Sequence, residues 1–278
     1  MVLAVYATGY NILFGYTGLL SLGHAMFFAA GLYGMGLTIR YLGFDPASGF
    51  VAGLVAGALL AAALGALALR ARGVAFMIVT LMFAQAVYLT ILYFGAYTRG
   101  DEGFVLQTAE RTIFGQPLSN PDLRFWLAFA LFAAATLITL AITRRPLGKT
   151  LVAIRENEAR AQMLGYNTFI NKWTAVILSG TFSAASGAAY GLLFGYVGAS
   201  FASVQYSIFP LLWVLLGGAG TVIGPFIGTL FMFYLIDFSS GLTTAYMLFA
   251  GVALVLLTLF APHGIAGEIR RRIVRSLP

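Results

Sequence analysis

Between Lys172 and Asp237 the chain runs through 64 consecutive positions without an acidic or basic side chain. At about 1.5 Å per helical residue, that stretch is roughly three times the thickness of a 30 Å hydrocarbon core, so it holds at least two crossings. No water-soluble core requires such a run. Only 9% of the 278 residues are charged, against about 25% in soluble domains. The chain therefore reads as a polytopic membrane protein. Its apolar stretches are apolar on every side for about twenty residues, whereas barrel strands alternate over about ten, so the expected fold class is an all-α transmembrane helical bundle.

Charges and Gly/Pro punctuation place spans near 1–16, 22–40, 47–69, 73–95, 124–143, 173–196, 205–219, 222–237 and 241–261. The cluster Gly217, Gly218, Gly220 and Gly224 makes a broken pair of the seventh and eighth an alternative, so the expectation is eight or nine crossings in one domain over 1–278. Placing 70–72, 144–172 and the tail 268–278 on one side gathers twelve of the sixteen basic residues there, with Glu156, Glu158 and Glu268, for 12 − 3 = +9. The other side has 4 − 6 = −2. Positive-inside makes the first side cytoplasmic, with the C-terminus. Nine crossings then put the N-terminus outside, at the first residue of an apolar helix, and a further span preceding Met1 is the expected remedy. No basic stretch precedes the first apolar segment, which is read as a mature span and not as a cleaved signal.

A surplus of 16 Lys and Arg over 9 Asp and Glu invites nucleic acid as a partner, but no basic face interleaved with stacking aromatics is present, and topology accounts for the charge. The chain has no Cys, which excludes disulfides and thiolate metal sites. His24 and His263 have no clustered carboxylate, so neither a metal site nor a catalytic triad is expected. Gly148, Lys149 and Thr150 end like a phosphate-binding loop, but Thr143 stands where that loop needs glycine. No enzyme, metal or cofactor is expected.

Inside the spans ionisable groups are nearly absent, apart from His24 and Asp237 near boundaries. That disfavours proton or sodium coupling and places the energy source elsewhere. Gly187, Gly191 and Gly195, Gly220, Gly224 and Gly228, and the pair Gly53 and Gly57 recur at four-residue spacing, for close helix packing or for sliding between conformations. Ser179, Ser183, Ser186 and Tyr190 fall on one helix face, and Thr80 and Gln85 make a second polar patch. Hydroxyls can bond back to their own helix, whereas a Gln amide at membrane depth needs a partner or water. Gln85, Thr80, Ser179, Ser183, Ser186 and His24 are the candidates for a translocation path. Gln85 could equally bridge two helices.

The polar segment 144–172 is too long for a plain connector. Thr150 is expected to cap a helix LVAIRENEARAQML ended by Gly165, with Leu151, Ile154, Ala161 and Leu164 on one side. Its polar side mixes Glu156 and Glu158 with Arg155 and Arg160. That lacks the basic bias a lipid surface favours, so docking into a partner protein fits better.

Here the segment resembles the coupling helix of ABC importer permeases, on Glu158, Ala159 and Gly165. Four ordered blocks, GYTGLLSLGHAMFFAAGLYG (15–34), RGVAFMIVTLMFAQ (72–85), AIRENEARAQMLGYN (153–167) and LLGGAGTVIGPFIG (215–228), resemble the branched-chain amino acid ABC transporter permease family over nearly the whole chain. They resemble the subunit with the longer cytoplasmic loop. The resemblance implies a heterodimer with a second permease, two cytoplasmic ATP-binding subunits and an extracytoplasmic solute-binding protein. The setting it implies is a bacterial or archaeal inner membrane. The ATPases would act through Arg155, Glu156, Glu158, Ala159, Arg160 and Gly165, and this chain would not hydrolyse ATP. The outer loop 96–123 would help dock the binding protein through Asp101 and Glu102, unless these are merely solvated. Branched-chain amino acids are the default solute; the family also includes permeases for urea, short amides and other small solutes. Outside the family, a stand-alone carrier would show inverted repeats, of which FFAAGLYG (27–34) and FSAASGAAYG (182–191) are a faint echo.

Overall fold

The computed structural model describes residues 1–113, 115–241, 248, 251–252, 255 and 264–268. Its helices are α1 (Val2–Asn11), continued by a π-helical turn at Ile12–Tyr16, α2 (His24–Leu42), α3 (Pro46–Ala68), α4 (Val74–Tyr93), α5 (Gly95–Thr98), α6 (Pro121–Arg144), α7 (Pro146–Glu156), α8 (Glu158–Met163), α9 (Thr168–Phe194), α10 (Val204–Gly217) and α11 (Gly224–Ser240). Punctuation sets these limits. Asp45 and Asn120 cap α3 and α6 ahead of Pro46 and Pro121 at the first helical position, where a missing N–H costs nothing. Gly43 and Gly195 end α2 and α9 with φ of +66° and +79°, a conformation strained for any residue with a Cβ.

These helices fall on the first eight expected segments, and five of them, α2, α3, α4, α6 and α9, are long and apolar enough to cross a membrane among the described residues. The expected segment 241–261 and the tail 268–278 lie almost wholly outside the described residues, as does His263. The little sheet present joins distant loops. Strand β1 (Phe104–Val105) pairs antiparallel with β4 (Tyr196–Val197), Phe104 facing Val197, and β2 (Thr112–Ile113) pairs with β3 (Gln116–Pro117).

Lipid tails are as apolar as a protein core, so side-chain size, more than hydrophobicity, decides which helix is central. The Gly-, Ala- and Ser-rich α9 has 78% of its apolar window buried, whereas α6, rich in Phe and Leu, has 11%. A Cβ built on Gly187 would meet the backbone of Phe28, one on Gly31 the backbone of Ala184, and one on Gly57 the Ala184 side chain, so α2, α3 and α9 touch nearly backbone to backbone. Not every spaced glycine packs this way. Gly195 ends α9, and Gly220, with φ of +76°, shapes the turn between α10 and α11, while Gly224 and Gly228 press α11 onto Gly217 and Trp213 of α10.

Helix α6 runs from the end of the bundle that carries residues 96–123 to the end that carries α7 and α8. Two helices start inside the bundle. His24, the first residue of α2, meets Ser179 of α9, about 16 Å along α9 from its α8 end at 1.5 Å per residue. The Ser207 hydroxyl of α10 accepts from the Ala25 backbone N–H at 2.9 Å, so α10 begins beside the same point. Chain breaks at 17–23 and 195–203 therefore penetrate the bundle from opposite ends.

Candidate functional site

The segment 144–172 departs from the single helix expected of it. Pro146, and not Thr150, opens α7; Thr150 lies one turn in, and its hydroxyl donates to the Pro146 carbonyl at 3.0 Å. At Asn157 the backbone turns extended, with φ of −160°, and the Asn157 carboxamide caps α8 by accepting from Arg160 N–H at 2.9 Å. Two helices result because an Asn side chain satisfies a helix start better than it fills a helix interior. Leu151, Ile154 and Ala161 are buried as expected of one apolar face, but Leu164 is not. Met163, Leu164 and Tyr166 stand 87%, 70% and 46% exposed around Gly165, whose φ is +87°. Three apolar side chains thus stand exposed at a polar helix end.

The charged side chains here do different things. Glu158 accepts from the buried Lys172 ammonium of α9 at 2.6 Å, bracing α8 against α9. Burial pushes its carboxyl pKa up, but the Lys172 hydrogen bond and charge, with the Thr168 hydroxyl, outweigh that and hold it below the usual value. Arg155 reaches inward and donates through Nη1 to the Gly15 carbonyl in the π-helical turn. Glu156, Ala159 and Arg160 are exposed. Gly148 and Thr150 lie buried within α7, a regular helix and not a phosphate-cradling loop.

The polar residues expected along a path mostly stitch helices together. His24 Nε2 and Ser179 Oγ are 2.6 Å apart, Ser183 donates to the Ser179 carbonyl at 2.9 Å, and Ser186 donates to the Val2 carbonyl at 2.7 Å, all fully buried. Thr80 donates to the Met77 carbonyl at 2.9 Å and accepts from Leu22 N–H at 3.2 Å, closing the first chain break. Gln85 is half-buried, and no described residue hydrogen-bonds its amide. Open space lies elsewhere. A cavity of about 300 Å³ is lined by Leu3, Tyr190, Tyr206, Trp213, Thr229 and Asp237, among others, and a second of about 670 Å³ shares Leu3, Tyr190, Thr229 and Phe233 with it. The second extends to Met1, Pro121 and Arg124 at the end carrying 96–123.

At that end Asp101 and Glu102 are exposed; Asp101 Oδ1 accepts from the Tyr88 hydroxyl at 3.3 Å, and the Glu102 carbonyl accepts from the Tyr196 hydroxyl at 3.2 Å. Arg111 lies against the end of α9, donating from Nη1 to the Leu192 carbonyl at 3.1 Å. Burial first, then the nearby Arg124, lower its pKa, with Glu110 opposing. Among the described residues no three His, Cys, Asp or Glu side chains converge as metal ligands.

Two residues escaped the sequence reading. Asn11, fully buried, donates to the Thr221 carbonyl at 2.8 Å and accepts from Gly220 N–H at 2.9 Å, tying α1 to the α10–α11 turn. Arg111 was one of two basic residues, with Arg99, in the outer loop 96–123. A signal for it does exist in a repeat, YNILFGYTG at 10–18 and YGLLFGYVG at 190–198, offset by 180 residues, whose second copy Arg111 covers.

A family model described as the permease component of branched-chain amino acid transport systems matches residues 1–260. The chain belongs to this family. Among curated members of the branched-chain permease family, it is 28% identical to the high-affinity branched-chain amino acid transport system permease protein LivM of Escherichia coli (strain K12), over 98% of this chain and 69% of the relative. It is 27% identical to the LivM of Salmonella typhimurium over the same shares. A probable branched-chain amino acid transport permease protein LivM of Methanocaldococcus jannaschii is 28% identical over 54% of this chain and 52% of its own length. No solved structure matches the chain. As a branched-chain permease-family member with five long apolar helices among its described residues, the protein is membrane-embedded.

Proposed function

We propose that this chain is a membrane subunit of an ABC importer that carries branched-chain amino acids across a bacterial or archaeal inner membrane. It forms one permease domain of eight or nine crossings, with α7, α8 and the C-terminus cytoplasmic. A second permease completes a heterodimer, two ATP-binding subunits drive it, and an extracytoplasmic binding protein delivers solute to the end carrying 96–123. The observation that carries the reading is the family match over 1–260. The apolar knob of Met163, Leu164 and Tyr166 beside an α8 braced by Glu158 and Lys172 supports α7–α8 as the seat of the ATPases. A rigid ledge transmits displacement, and a loose loop absorbs it.

The solute path runs past Tyr190, where the two cavities meet. Their lining is aromatic and aliphatic with few polar atoms, one carboxylate, Asp237, and one guanidinium, Arg124, which suits a net-neutral zwitterion with an apolar side chain. Purification of the tagged chain from its source membrane, with mass spectrometry of what remains bound, tests the assembly. Two ATPases and a second permease are expected, followed by ATP-dependent leucine uptake in proteoliposomes once the binding protein is added. A chain that purifies alone and moves leucine without ATP would falsify the import reading.

A further inference from the structure

The repeated motif marks two equivalent chain breaks. Tyr10–Gly18 closes α1 and Tyr190–Gly198 closes α9, and the following helices, α2 and α10, begin at His24 and Val204, again 180 residues apart. The copies are inverted, since α1 ends beside α7 and α9 ends beside Arg111 and β1, at opposite ends of α6. Each break includes a glycine in the left-handed region, Gly18 at +75° and Gly195 at +79°, at different positions of the motif, since Gly195 aligns with Gly15 and Gly18 with Gly198.

Each break is covered by one arginine from the loop at its own end. Arg155 of α7 donates to the Gly15 carbonyl, and a methyl group built on Gly18 would lie 2.9 Å from its Cγ. Arg111 donates to the Leu192 carbonyl at 3.1 Å, and a methyl group built on Gly195 would lie 2.6 Å from its Cζ. Gly195 leaves room for the Arg111 guanidinium and Gly18 for the aliphatic stem of Arg155, and the broken helix ends leave carbonyls for the guanidinium groups to bind. A guanidinium with several donors in a fixed fork is suited to hold such an end in one geometry. The breaks differ in state. Tyr10 is buried and donates across its break to the Ser21 carbonyl at 2.9 Å, whereas the equivalent Tyr190 lines the cavities.

We propose that Arg155 and Arg111 are paired positioning residues through which the two loops act on two equivalent breaks, one at each end of the solute path. The inference rests on the import reading. ATPase movement of α7 pulls on the first break through Arg155, and docking of the binding protein on 96–123 pulls on the second through Arg111. Because α2 and α10 meet at Ala25 and Ser207, a shift at one break reaches the other.

Hydrogen exchange on the purified chain, followed by transport in the reassembled importer, tests this. Arg155→Ala is expected to speed amide exchange about tenfold at 15–19 and leave 195–199 unchanged, and Arg111→Ala to do the reverse. Lys149→Ala, an exposed change on α7, is expected to alter neither. In proteoliposomes each arginine variant is expected to lower leucine taken up per ATP hydrolysed by about fivefold or more while the subunits still co-purify, with Arg155→Lys partly restoring it. Unchanged exchange at the matching break, or unchanged uptake per ATP, overturns the proposal. The exchange measurement needs no partner subunit, so it decides the latch even where the parent assembly fails to import, an outcome that sinks the import reading instead.

Discussion

The Lys172 ammonium and the Glu158 carboxylate are 2.6 Å apart, with the lysine side chain 8% exposed and the glutamate 35%. Removing the carboxylate charge strands a buried cation, a loss that solvent at the glutamate moderates. Glu158→Gln is expected to cost about 1–2 kcal/mol, and Glu158→Gln with Lys172→Met to recover part of it. Thermal unfolding of the parent, Glu158→Gln, Lys172→Met and the double variant in mild detergent gives the coupling.

The same pair sets a pH dependence. The Glu158 carboxyl is held below its ordinary value in the folded chain, so the native state binds that proton less readily than the unfolded one. The stability it lends is therefore fully present above the ordinary carboxylate range and is lost as pH falls through the depressed value. Proteolysis between α8 and α9 should accelerate in the parent as pH falls below the ordinary carboxylate range and show no such step in Glu158→Gln.

Asn11 satisfies a backbone donor and a backbone acceptor in the turn between α10 and α11. Asn11→Leu keeps similar bulk and leaves both groups unpaired, for an expected loss of about 2–4 kcal/mol. Asn11→Asp retains the acceptor for Gly220 N–H alone and is expected to leave the Thr221 carbonyl unserved. A melting temperature for Asn11→Leu equal to the parent's would refute the clamp.

Gly31 and Gly95 offer a contrast in crowding. A Cβ at Gly31 would lie 2.5 Å from Ala184 Cα, whereas the nearest atom to one at Gly95 is 3.9 Å away. Gly31→Val is expected to force α2 and α9 apart, at about 3 kcal/mol or more, and to abolish recovery of monodisperse protein. Gly95→Ala is expected to stay within about 0.5 kcal/mol of the parent.

Ser186 and Tyr190 stand one turn apart on α9 and should separate stability from transport. Ser186→Ala leaves the Val2 carbonyl without its donor, for about 1 kcal/mol, with uptake retained. Tyr190→Leu changes the cavity lining and is expected to raise the KM for leucine several-fold with little change in melting. Equal uptake defects in both variants would contradict this division.

Helix limits were legible to within about three residues at Pro46, Pro121 and Gly43, but not at Pro146, which opens α7 where Thr150 was expected. Which helices are central was written in side-chain size more than in hydrophobicity, so an apolar α4 or α6 looked no different from α9 until packing was seen. The Ser stripe on α9 was read correctly as one face, but its hydroxyls are taken up by His24, Val2 and the helix itself. A periodic polar face does not say whether water or another backbone answers it. Asn157 was hidden for a related reason: an Asn inside a helix-favouring run breaks it only when a second helix start has something to pack on, and here Glu158 meets Lys172. Arg155, expected to face a partner, points to a carbonyl 140 residues away in sequence, a pairing that no local pattern encodes.

The amino-terminal ends of α2 and α10 meet inside the bundle, bridged by the Ala25 N–H and the Ser207 hydroxyl. Each end carries the partial positive charge of its helix dipole, equivalent to about half an elementary charge. A sodium ion or a proton arriving at that depth is repelled from two sides by these dipoles. Backbone dipoles at that depth thus oppose the entry of a cation while leaving a net-neutral solute unaffected.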